Sequence, residues 1–523
     1  MDELAMKCSR RVRRAWFKLS RWLRSSVPYQ NIPEDEWARR PRGTSRLRDG
    51  DLEKIKQARL AATVTAADGP PRGFVRTFPT PQAWKRRRRW INHTVSINDF
   101  CERLMLSLPN VTSVKSSLYH GSHSVCLDMQ QWFHQFPISQ EVSMRMCFEH
   151  KGEIFRLTRL PMGMRQSCAI AQAALEVLTD GLHAVNYIDN VKLTGTAEQC
   201  ESDCAVFLER CAFVGATVNP DDRTPRPNVE FLGLKLDHEA KTVAIGDKTL
   251  AKLDLCREQL STLPELTYGQ VSSVMGTLFY THWVYRGSPA DTTLWHWRSL
   301  QLYCRLGKEL QANPDLLDST LHVSELDKLD MFAWLKESSG IGPFHVPHVP
   351  DLPTYMLITD ASKSRWKAFL VDMQTGSITD AQGAFEVEQP SSVSAEPIAM
   401  LNGFRALVPQ SINCRVICVT DHQSMLSSIE KGYSVNPKYN KLLQAARRHN
   451  AGARLEGCFL PGIYNPADES TRGLPTDKEK LDHAIRFVIQ CHTDNPKVAP
   501  IVLRQPVALN GFEPEASVVL SQN

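Results

Sequence analysis

The chain has 523 residues, of which 42% are apolar, so it can form ordinary globular cores and is not an intrinsically disordered protein. Its net charge of +5 conceals an asymmetry, because residues 1–90 hold 23 Lys and Arg against 9 Asp and Glu, a local excess of +14. The remainder therefore carries −9, and the positive charge at one end favours a polyanionic partner.

The sequence contains no apolar run of about 18 residues, and its N-terminus lacks the pattern of a secretory signal. The 14 cysteines show neither C-x-x-C spacing nor a zinc-knuckle arrangement, so we interpret them as reduced structural thiols. We expect a soluble intracellular protein without an integral membrane segment. Nothing in the sequence decides between nucleus and cytoplasm, or fixes the oligomeric state.

The first 24 residues predict a basic helix that carries aromatic side chains. Such a helix fits either a membrane surface or an RNA-binding arm, and the sequence leaves both open. Proline, glycine and charge dominate residues 25–80, with one predicted helix near 52–62. We therefore assign residues 1–71 to a basic N-terminal extension.

Two aspartates follow strand-like apolar stretches in the next region, residues 72–247. Asp128 ends the approach through Val125 and Leu127, and Asp189 follows a second apolar run in HAVNYIDN. Carboxylates at strand ends or in a hairpin turn are suitable ligands for the two Mg²⁺ ions of a phosphoryl-transfer site. A single aspartate at such a position is more often a turn or cap residue, so the pair carries the prediction.

These segments resemble the motifs of reverse transcriptases from retroelements and retroviruses. LDMQQWFHQFPI (127–138) is similar to the first catalytic motif, and YIDN (187–190) takes the place of the Tyr-x-Asp-Asp box. RLTRLPMGMRQSCAIAQ (156–172) is similar to the nucleotide- and template-handling motif, and NVEFLGLKLD (228–237) to the primer-grip turn. WKRRRRWINHTVSINDF (84–100) takes the place of the basic fingers hairpin. The resemblance implies fingers and palm of a right-hand polymerase.

The resemblance also implies roles for single positions. Asp128 and Asp189 would bind two Mg²⁺ or Mn²⁺ ions, with Asn190 beside them in the catalytic box. Phe133 would be the aromatic gate against a ribose 2′-hydroxyl, and Gly163 would allow the backbone to approach nucleotide or template closely. The other implied nucleotide-binding residues are Lys85, Arg86, Arg87, Arg88, Arg89 and Tyr187.

The sequence departs from the family pattern at the catalytic box. Asn190 replaces the second aspartate, so a negative charge expected beside the metals is missing. Met162 replaces a polar residue of some relatives, and residues 219–223 lack the usual lysine of the downstream palm motif. One charge at about 4 Å is worth up to about 4 kcal/mol at an effective dielectric of about 20, so we expect its loss to lower the polymerase rate.

A helical zone at residues 248–339 resembles the thumb or connection, and a Pro- and Gly-rich stretch at 340–353 predicts a linker. Beyond it, acids fall at the ends of predicted strands and the starts of helices. They are Asp360, Glu396, Asp421 and Asp468. Four converging carboxylates would repel one another without bound cations, which favours a second two-metal site.

The order of elements in residues 354–490 resembles the ribonuclease H fold, and the four acids take its Asp-Glu-Asp-Asp positions. The loop before Asp468 lacks the histidine of many cellular ribonucleases H; Tyr464 and Asn465 stand nearby. Residues 491–523 are left as a C-terminal tail.

The resemblance covers about residues 72–482 and implies an α+β and α/β multidomain protein. The implied activities are RNA-directed DNA polymerase and ribonuclease H, with two metal ions per site and with RNA template, DNA primer, RNA–DNA hybrid and dNTPs as partners. The ending NPADESTRG and residues 266–289 look like tyrosine-recombinase retroelements of the DIRS or VIPER type. Two alternatives stay open: a nuclease whose polymerase is silenced by Asn190, and a decayed or repurposed nucleic-acid-binding protein.

Overall fold

The computed structural model describes residues 1–25, 27–29, 47–82, 87–94, 98, 101–102, 108–220, 223–263, 265–286, 288, 291–410, 412–493 and 518–519. The chain separates into two compact units. The first is Met1–Leu232 with Asp237–Glu239, and the second is Gly233–Leu236 with Ala240–Asn523.

The first unit combines helices with small antiparallel sheets, in the orders β1-β6-β5, β2-β3 and β4-β8-β7. Its helices are α1 (Asp2–Met6), α2 (Arg10–Arg24), α3 (Asp49–Gln57), α4 (Val111–Ser116), α5 (Gln140–Ser143), α6 (Ser167–Thr179) and α7 (Ala197–Val214). Its strands are β1 (Ala61–Thr63), β2 (Arg76–Gln82), β3 (Arg87–His93), β4 (His123–Asp128), β5 (Cys147–His150), β6 (Glu153–Leu157), β7 (Ala184–Tyr187), β8 (Asn190–Gly195) and β9 (Asn228–Phe231).

The β4-β8-β7 sheet owes its position to alternating side chains. Val125 and Leu127 of β4 and Val191 and Leu193 of β8 are buried in the main core of the first unit. Helix α6 contributes a nearly continuous apolar surface to the same core. Asp128 of β4 and Asn190 of β8 alternate with these apolar residues and therefore lie on the opposite face of the sheet. Asn186 of β7 differs, because its side-chain amide donates to the Thr179 hydroxyl of α6.

The N-terminal helix α2 belongs to the same core. Its Trp16 and Trp22 are buried, and α2 packs against α6. The Trp16 indole donates a hydrogen bond to Asp2, and Ser9 at the helix start donates to Asp180. Trp16 and Trp22 thus serve folding, whereas Phe17 and most basic residues of α2 remain exposed.

The second unit contains a helical part followed by an α/β part. Strand β10 (Leu234–Asp237) lies at the boundary between the units. The helical part contains β11 (Thr242–Ile245), α8 (Asp247–Thr262), β12 (Leu266–Thr267), α9 (Tyr268–Tyr285), α10 (Trp297–Ala312), β13 (Thr320–Leu321), α11 (Glu325–Gly340) and β14 (Phe344–His345). The α/β part contains β15 (Thr354–Ala361), β16 (Arg365–Asp372), β17 (Ile378–Ala384), α12 (Ser392–Leu407), β18 (Cys414–Thr420), α13 (Gln423–Lys431), α14 (Pro437–His449), β19 (Ala453–Phe459), α15 (Pro466–Thr471), α16 (Lys478–Thr493) and β20 (Val518–Val519).

The α/β part is a mixed sheet in the order β19-β18-β15-β16-β17-β20. Strand β15 pairs in parallel with β18 and antiparallel with β16, and β18 pairs in parallel with β19. One face buries residues of α12 and α14, and the opposite face buries residues of α16. The buried runs in β15 and β18 have no polar alternation because helices cover both faces.

The predicted linker at 340–353 is not a featureless stretch. It contains β14, which pairs antiparallel with β11. The predicted domain boundaries at 247, 339 and 353 stay predictions, since the units divide near residues 232–240. No helix among the described residues is long and apolar enough to cross a membrane.

Candidate active sites

The first candidate site lies at one end of the β4-β8-β7 sheet. Asp128 is the last residue of β4 and lies opposite Asn190, the first residue of β8. The amide of Met129 donates to the carbonyl of Asp189 over 2.8 Å, which ties the end of β4 to the hairpin turn between β7 and β8. The structure therefore brings together the two predicted aspartates, although they are 61 residues apart in sequence.

The turn that carries Asp189 is strained and supported from outside. Ile188 has a φ of +59°, a left-handed conformation that is rare for a β-branched residue. The buried side chain of Gln172 accepts a hydrogen bond from the Ile188 amide at 2.8 Å and donates to the Asn186 carbonyl at 3.2 Å. The last residue of the 156–172 motif thus holds the turn in place, a role that the sequence did not indicate.

Each carboxylate of the first site accepts a hydrogen bond from a side-chain amide. Asn190 donates to the Oδ1 of Asp189 at 2.8 Å, and Asn219 donates to the Oδ2 of Asp128 at 2.7 Å. Sequence reasoning missed Asn219, because it comes from the segment noted only for its missing lysine. Hydrogen bonds from amides partly satisfy both anions without any cation.

The other predicted nucleotide-binding residues are placed only in part. Phe133 lies in a short 3-10 helix at Trp132–Gln135 and is half-buried against the core. Gly163 has a φ of +122°, and a Cβ there would lie 2.6 Å from the carbonyl oxygen of Asn92. The close approach that requires this glycine is therefore to strand β3 of its own chain.

Tyr187 ends β7 and pairs with Asn190. Two residues of the basic hairpin, Lys85 and Arg86, lie outside the described residues. The backbone of Arg87–Arg89 belongs to β3, but these side chains also lie outside the described part.

The second candidate site lies at the carboxyl ends of the neighbouring strands β15 and β18 of the α/β part. Asp360 is near the end of β15, and Asp421 immediately follows β18, the parallel neighbour of β15. Glu396 lies in the first turns of α12, and Asp468 in the first turn of α15. The carboxyl ends of parallel neighbours meet at one sheet edge, so four distant segments contribute their acids to one region.

The pKa values of two of these acids are raised by burial and by the charges of the other acids. Burial raises the pKa of Glu396 to about 8, with further contributions from the charge of Asp421, a hydrogen bond to Asp421 and the charge of Asp360. Burial also raises the pKa of Asp360 to about 6, and the charges of Asp468 and Asp421 act in the same direction. The four predicted acids therefore form one interacting cluster.

Neutral and basic neighbours modulate this cluster. The hydroxyl of Thr471 lies 3.1 Å from Asp360 and lowers its pKa, and that of Thr420 lies 3.4 Å from Glu396. Arg472 pairs with Asp468 at 2.9 Å. A Cβ at Gly462 would lie 2.6 Å from Asp421 Oδ2, so a larger residue there would displace this carboxylate. Thr471 and Gly462 are further site residues that sequence reasoning missed.

The donor chemistry of the acid cluster suits a divalent cation. Carboxylate oxygens are the preferred ligands of Mg²⁺ and Mn²⁺. A bound cation would reduce the charge repulsion that, with burial, raises the pKa values of Asp360 and Glu396. No set of three or more His, Cys, Asp or Glu side chains within the described ranges is already arranged to hold a metal ion. The cluster is thus a group of neighbouring acids rather than a closed cage.

The chain is an α+β multidomain protein with one group of acidic residues in each unit. No family model matches the chain. Over 207 residues, 38% of this chain, it is 23% identical to the Pro-Pol polyprotein of simian foamy virus type 1. This similarity supports a retroelement polyprotein of the reverse-transcriptase type, and does not extend to the DIRS or VIPER subtype. The matched part spans 17% of that relative's length.

Solved structures with a similar course of the chain include the foamy viral protease-reverse transcriptase dRH with double-stranded DNA. That likeness has a TM-score of 0.48 at 11% identity and covers 88% of this chain and 81% of the other. For the foamy viral protease-reverse transcriptase in complex with RNA/DNA hybrid, the TM-score is 0.46 at 12% identity, and the match covers 88% of this chain and 62% of the other. For the foamy viral protease-reverse transcriptase in complex with double-stranded DNA, the TM-score is 0.45 at 12% identity, and the match covers 88% of this chain and 96% of the other. At these TM-scores the likenesses carry no functional argument.

Proposed function

We propose that the chain is an RNA-directed DNA polymerase with ribonuclease H activity from a retroelement. The observation that carries the proposal is the acid cluster of the second unit, in which burial and the charge of Asp421 raise the pKa of both Asp360 and Glu396. A fold rarely keeps buried acids together without a chemical use, because their mutual repulsion costs stability.

Hybrid cleavage would take place at the acid cluster. Asp360, Glu396, Asp421 and Asp468 would hold two Mg²⁺ or Mn²⁺ ions, which would activate water and stabilise the leaving oxygen. Thr471 would keep Asp360 ionised by its hydrogen bond. Arg472 would balance Asp468 until the cations are bound.

DNA synthesis would take place at Asp128 and Asp189, on RNA template and DNA primer with dNTPs as substrates. These two carboxylates would hold the cations that neutralise charge on the transferred phosphoryl group. The support from Gln172 would fix the position of Asp189, since positioning accounts for much of phosphoryl-transfer catalysis. Phe133 would exclude a ribose 2′-hydroxyl.

A second candidate is a hybrid-specific nuclease with a silenced polymerase. The observation that favours it is the pair of amide donors, Asn190 on Asp189 and Asn219 on Asp128. Asn190 supplies no charge, and both amides would have to move before the carboxylate oxygens they contact bind a cation.

The test follows primer extension on an RNA template and, in a separate reaction, cleavage of a preformed RNA–DNA hybrid, each with Mg²⁺ and with Mn²⁺. We expect the wild type to perform both reactions, Asp128→Ala to lose extension alone, and Asp421→Asn to lose cleavage alone. Cleavage without any extension would favour the silenced polymerase. Loss of neither activity in the two variants would reject the assigned residues, and absence of both in folded wild type would reject the enzyme.

A further inference from the structure

The exposed face of helix α14 has an unusual charge. Pro437–His449 contains two lysines and two arginines and no acidic residue. Lys438, Lys441 and Arg448 are exposed and follow helical spacing, so they lie on one stripe about 15 Å long. Tyr439, Leu443 and Ala446 lie on the opposite side and are buried against the sheet.

The stripe lacks the partners that surface cations usually have. No ion pair to Lys438, Lys441 or Arg448 occurs among the described residues, whereas two other exposed arginines of the α/β part, Arg472 and Arg486, pair with acids. Surface cations on a helix are often only solvated, so the charge alone does not define a binding surface. Two further features distinguish this stripe.

One end of the stripe borders the acid cluster. Tyr439, next to Lys438, shares a hydrogen bond of 2.9 Å with the Nε2 of His422, the residue that follows Asp421. The charge of Glu396 also contributes to the raised pKa of Tyr439. Tyr439 itself lies on the buried side of α14, so these contacts place the N-terminal end of the helix, which carries Lys438, close to the acid cluster.

The other end carries an exposed aromatic residue on a rigid support. Trp295 is 46% exposed, and the guanidinium of Arg448 lies 5.7 Å from its ring centroid. The preceding carbonyl, of Leu294, accepts hydrogen bonds from Asn440 at 2.9 Å and from Gln444 at 2.5 Å, both on α14. Helix α14 thus fixes a large apolar ring beside its own cations, at a cost in exposed apolar surface.

We propose that Lys438, Lys441, Arg448 and Trp295 form a docking track for the sugar–phosphate backbone of an RNA–DNA hybrid, leading to the acid cluster. The hybrid as ligand rests on the proposed function, cleavage of RNA–DNA hybrid at the acid cluster. Spaced cations contact phosphates without reading sequence, and an aromatic ring beside an arginine contacts sugar or a terminal base. The N-terminus of α14, near the acids, adds a partial positive charge at the same end.

The test measures binding of a fluorescent RNA–DNA hybrid to the full chain by anisotropy, in EDTA, as a function of salt. The variant Lys438→Gln/Lys441→Gln should weaken binding about tenfold or more and reduce the salt slope by up to about 2, since each phosphate contact contributes about 0.9. The matched control is Lys478→Gln/Arg486→Gln, which removes two exposed cations from α16 on the opposite face of the sheet. The control should keep the wild-type slope.

Trp295→Ala provides an independent arm, because its ring carries no charge. It should weaken binding about five- to tenfold without changing the salt slope. Equal slopes for the two double variants, in folded protein, would overturn the track whether or not the wild type cleaves hybrid. If the wild type does not cleave hybrid but the α14 variant still lowers the salt slope of binding, the docking track stands and only the nuclease activity is overturned. No binding by the wild type would overturn both.

Discussion

The two acidic sites differ in how their carboxylates are satisfied. In the first unit, Asp128 and Asp189 each accept a hydrogen bond from an asparagine amide. In the second unit, burial and mutual repulsion raise the pKa of Glu396 to about 8 and that of Asp360 to about 6. The first site thus provides hydrogen-bond donors for its carboxylates, whereas burial and repulsion in the second site favour protonated carboxyls or a bound cation. Carboxylates at similar positions at strand ends can therefore respond very differently to a change in pH or to a bound metal ion.

The largest expected effect separates activity from stability at Glu396. Glu396→Gln should reduce hybrid cleavage roughly 10³-fold, because a carboxylate proposed to hold a cation is lost. The same change should raise the melting temperature of metal-free protein at pH 9, since a buried charge is replaced by a neutral amide. Cleavage assays and thermal unfolding in EDTA measure the two effects.

The matched variant in the first unit is Asp128→Asn. It should abolish primer extension without the stabilisation expected for Glu396→Gln, because Asp128 already has an amide donor. Equal stabilisation by both variants would contradict the distinction between the sites.

The next effect concerns the missing charge of the first site. Asn190→Asp should increase primer extension tenfold or more, because the new carboxylate would add attraction for the cations, and about 1.4 kcal/mol corresponds to tenfold in rate. It would also remove the amide that donates to Asp189. Initial rates at several Mg²⁺ concentrations test this, with hybrid cleavage as the internal control. A decrease in extension would mean that the amide itself is needed.

A smaller effect links pH to cation binding in the second unit. Carboxyls whose folded pKa lies above the unfolded value stabilise the fold below about pH 4, and this stability is lost as pH rises through about 6 and 8. The melting temperature of metal-free protein should therefore fall by several degrees between pH 5 and pH 9. Addition of Mg²⁺ should stabilise the protein at pH 9 and have little effect at pH 5.

Glu396→Gln serves as the control for this pH dependence and should flatten it. A Mg²⁺ effect that is equal at both pH values would argue against binding at the acid cluster.

The sequence predicted the positions of the acids better than their surroundings. Long apolar runs mark the buried strands β15 and β18, so the acids at or next to their ends, Asp360 and Asp421, could be located from pattern alone. The support by Gln172 and the hydrogen bond from Asn219 could not, because both depend on tertiary contacts between distant segments.

The N-terminal helix shows a second limit of the sequence. Its spacing predicted one helix with aromatic side chains over residues 1–24; the structure confirms a helix at Arg10–Arg24, and Asp2–Met6 forms a separate short helix. The pattern could not show what covers the apolar face, because a membrane, a partner and the protein's own core all select the same side chains. The structure shows that Trp16 and Trp22 are covered by the core of the first unit.

The smallest expected effect concerns the hydroxyl of Thr471. It lies 3.1 Å from Asp360 Oδ2 and 2.8 Å from the carbonyl of Asp468, so its proton is shared between two acceptors. Because this hydrogen bond lowers the pKa of Asp360, Thr471→Val should raise that pKa and move the acidic limb of the cleavage pH profile upward by about half a unit. Near pH 6 the rate would fall about two- to threefold, and above pH 8 it would be unchanged, since Asp360 is ionised in both proteins. Thr471→Ser keeps the hydroxyl and should retain the wild-type limb. A rate that drops equally at every pH would mean that valine disturbs packing of α15 rather than ionisation of Asp360.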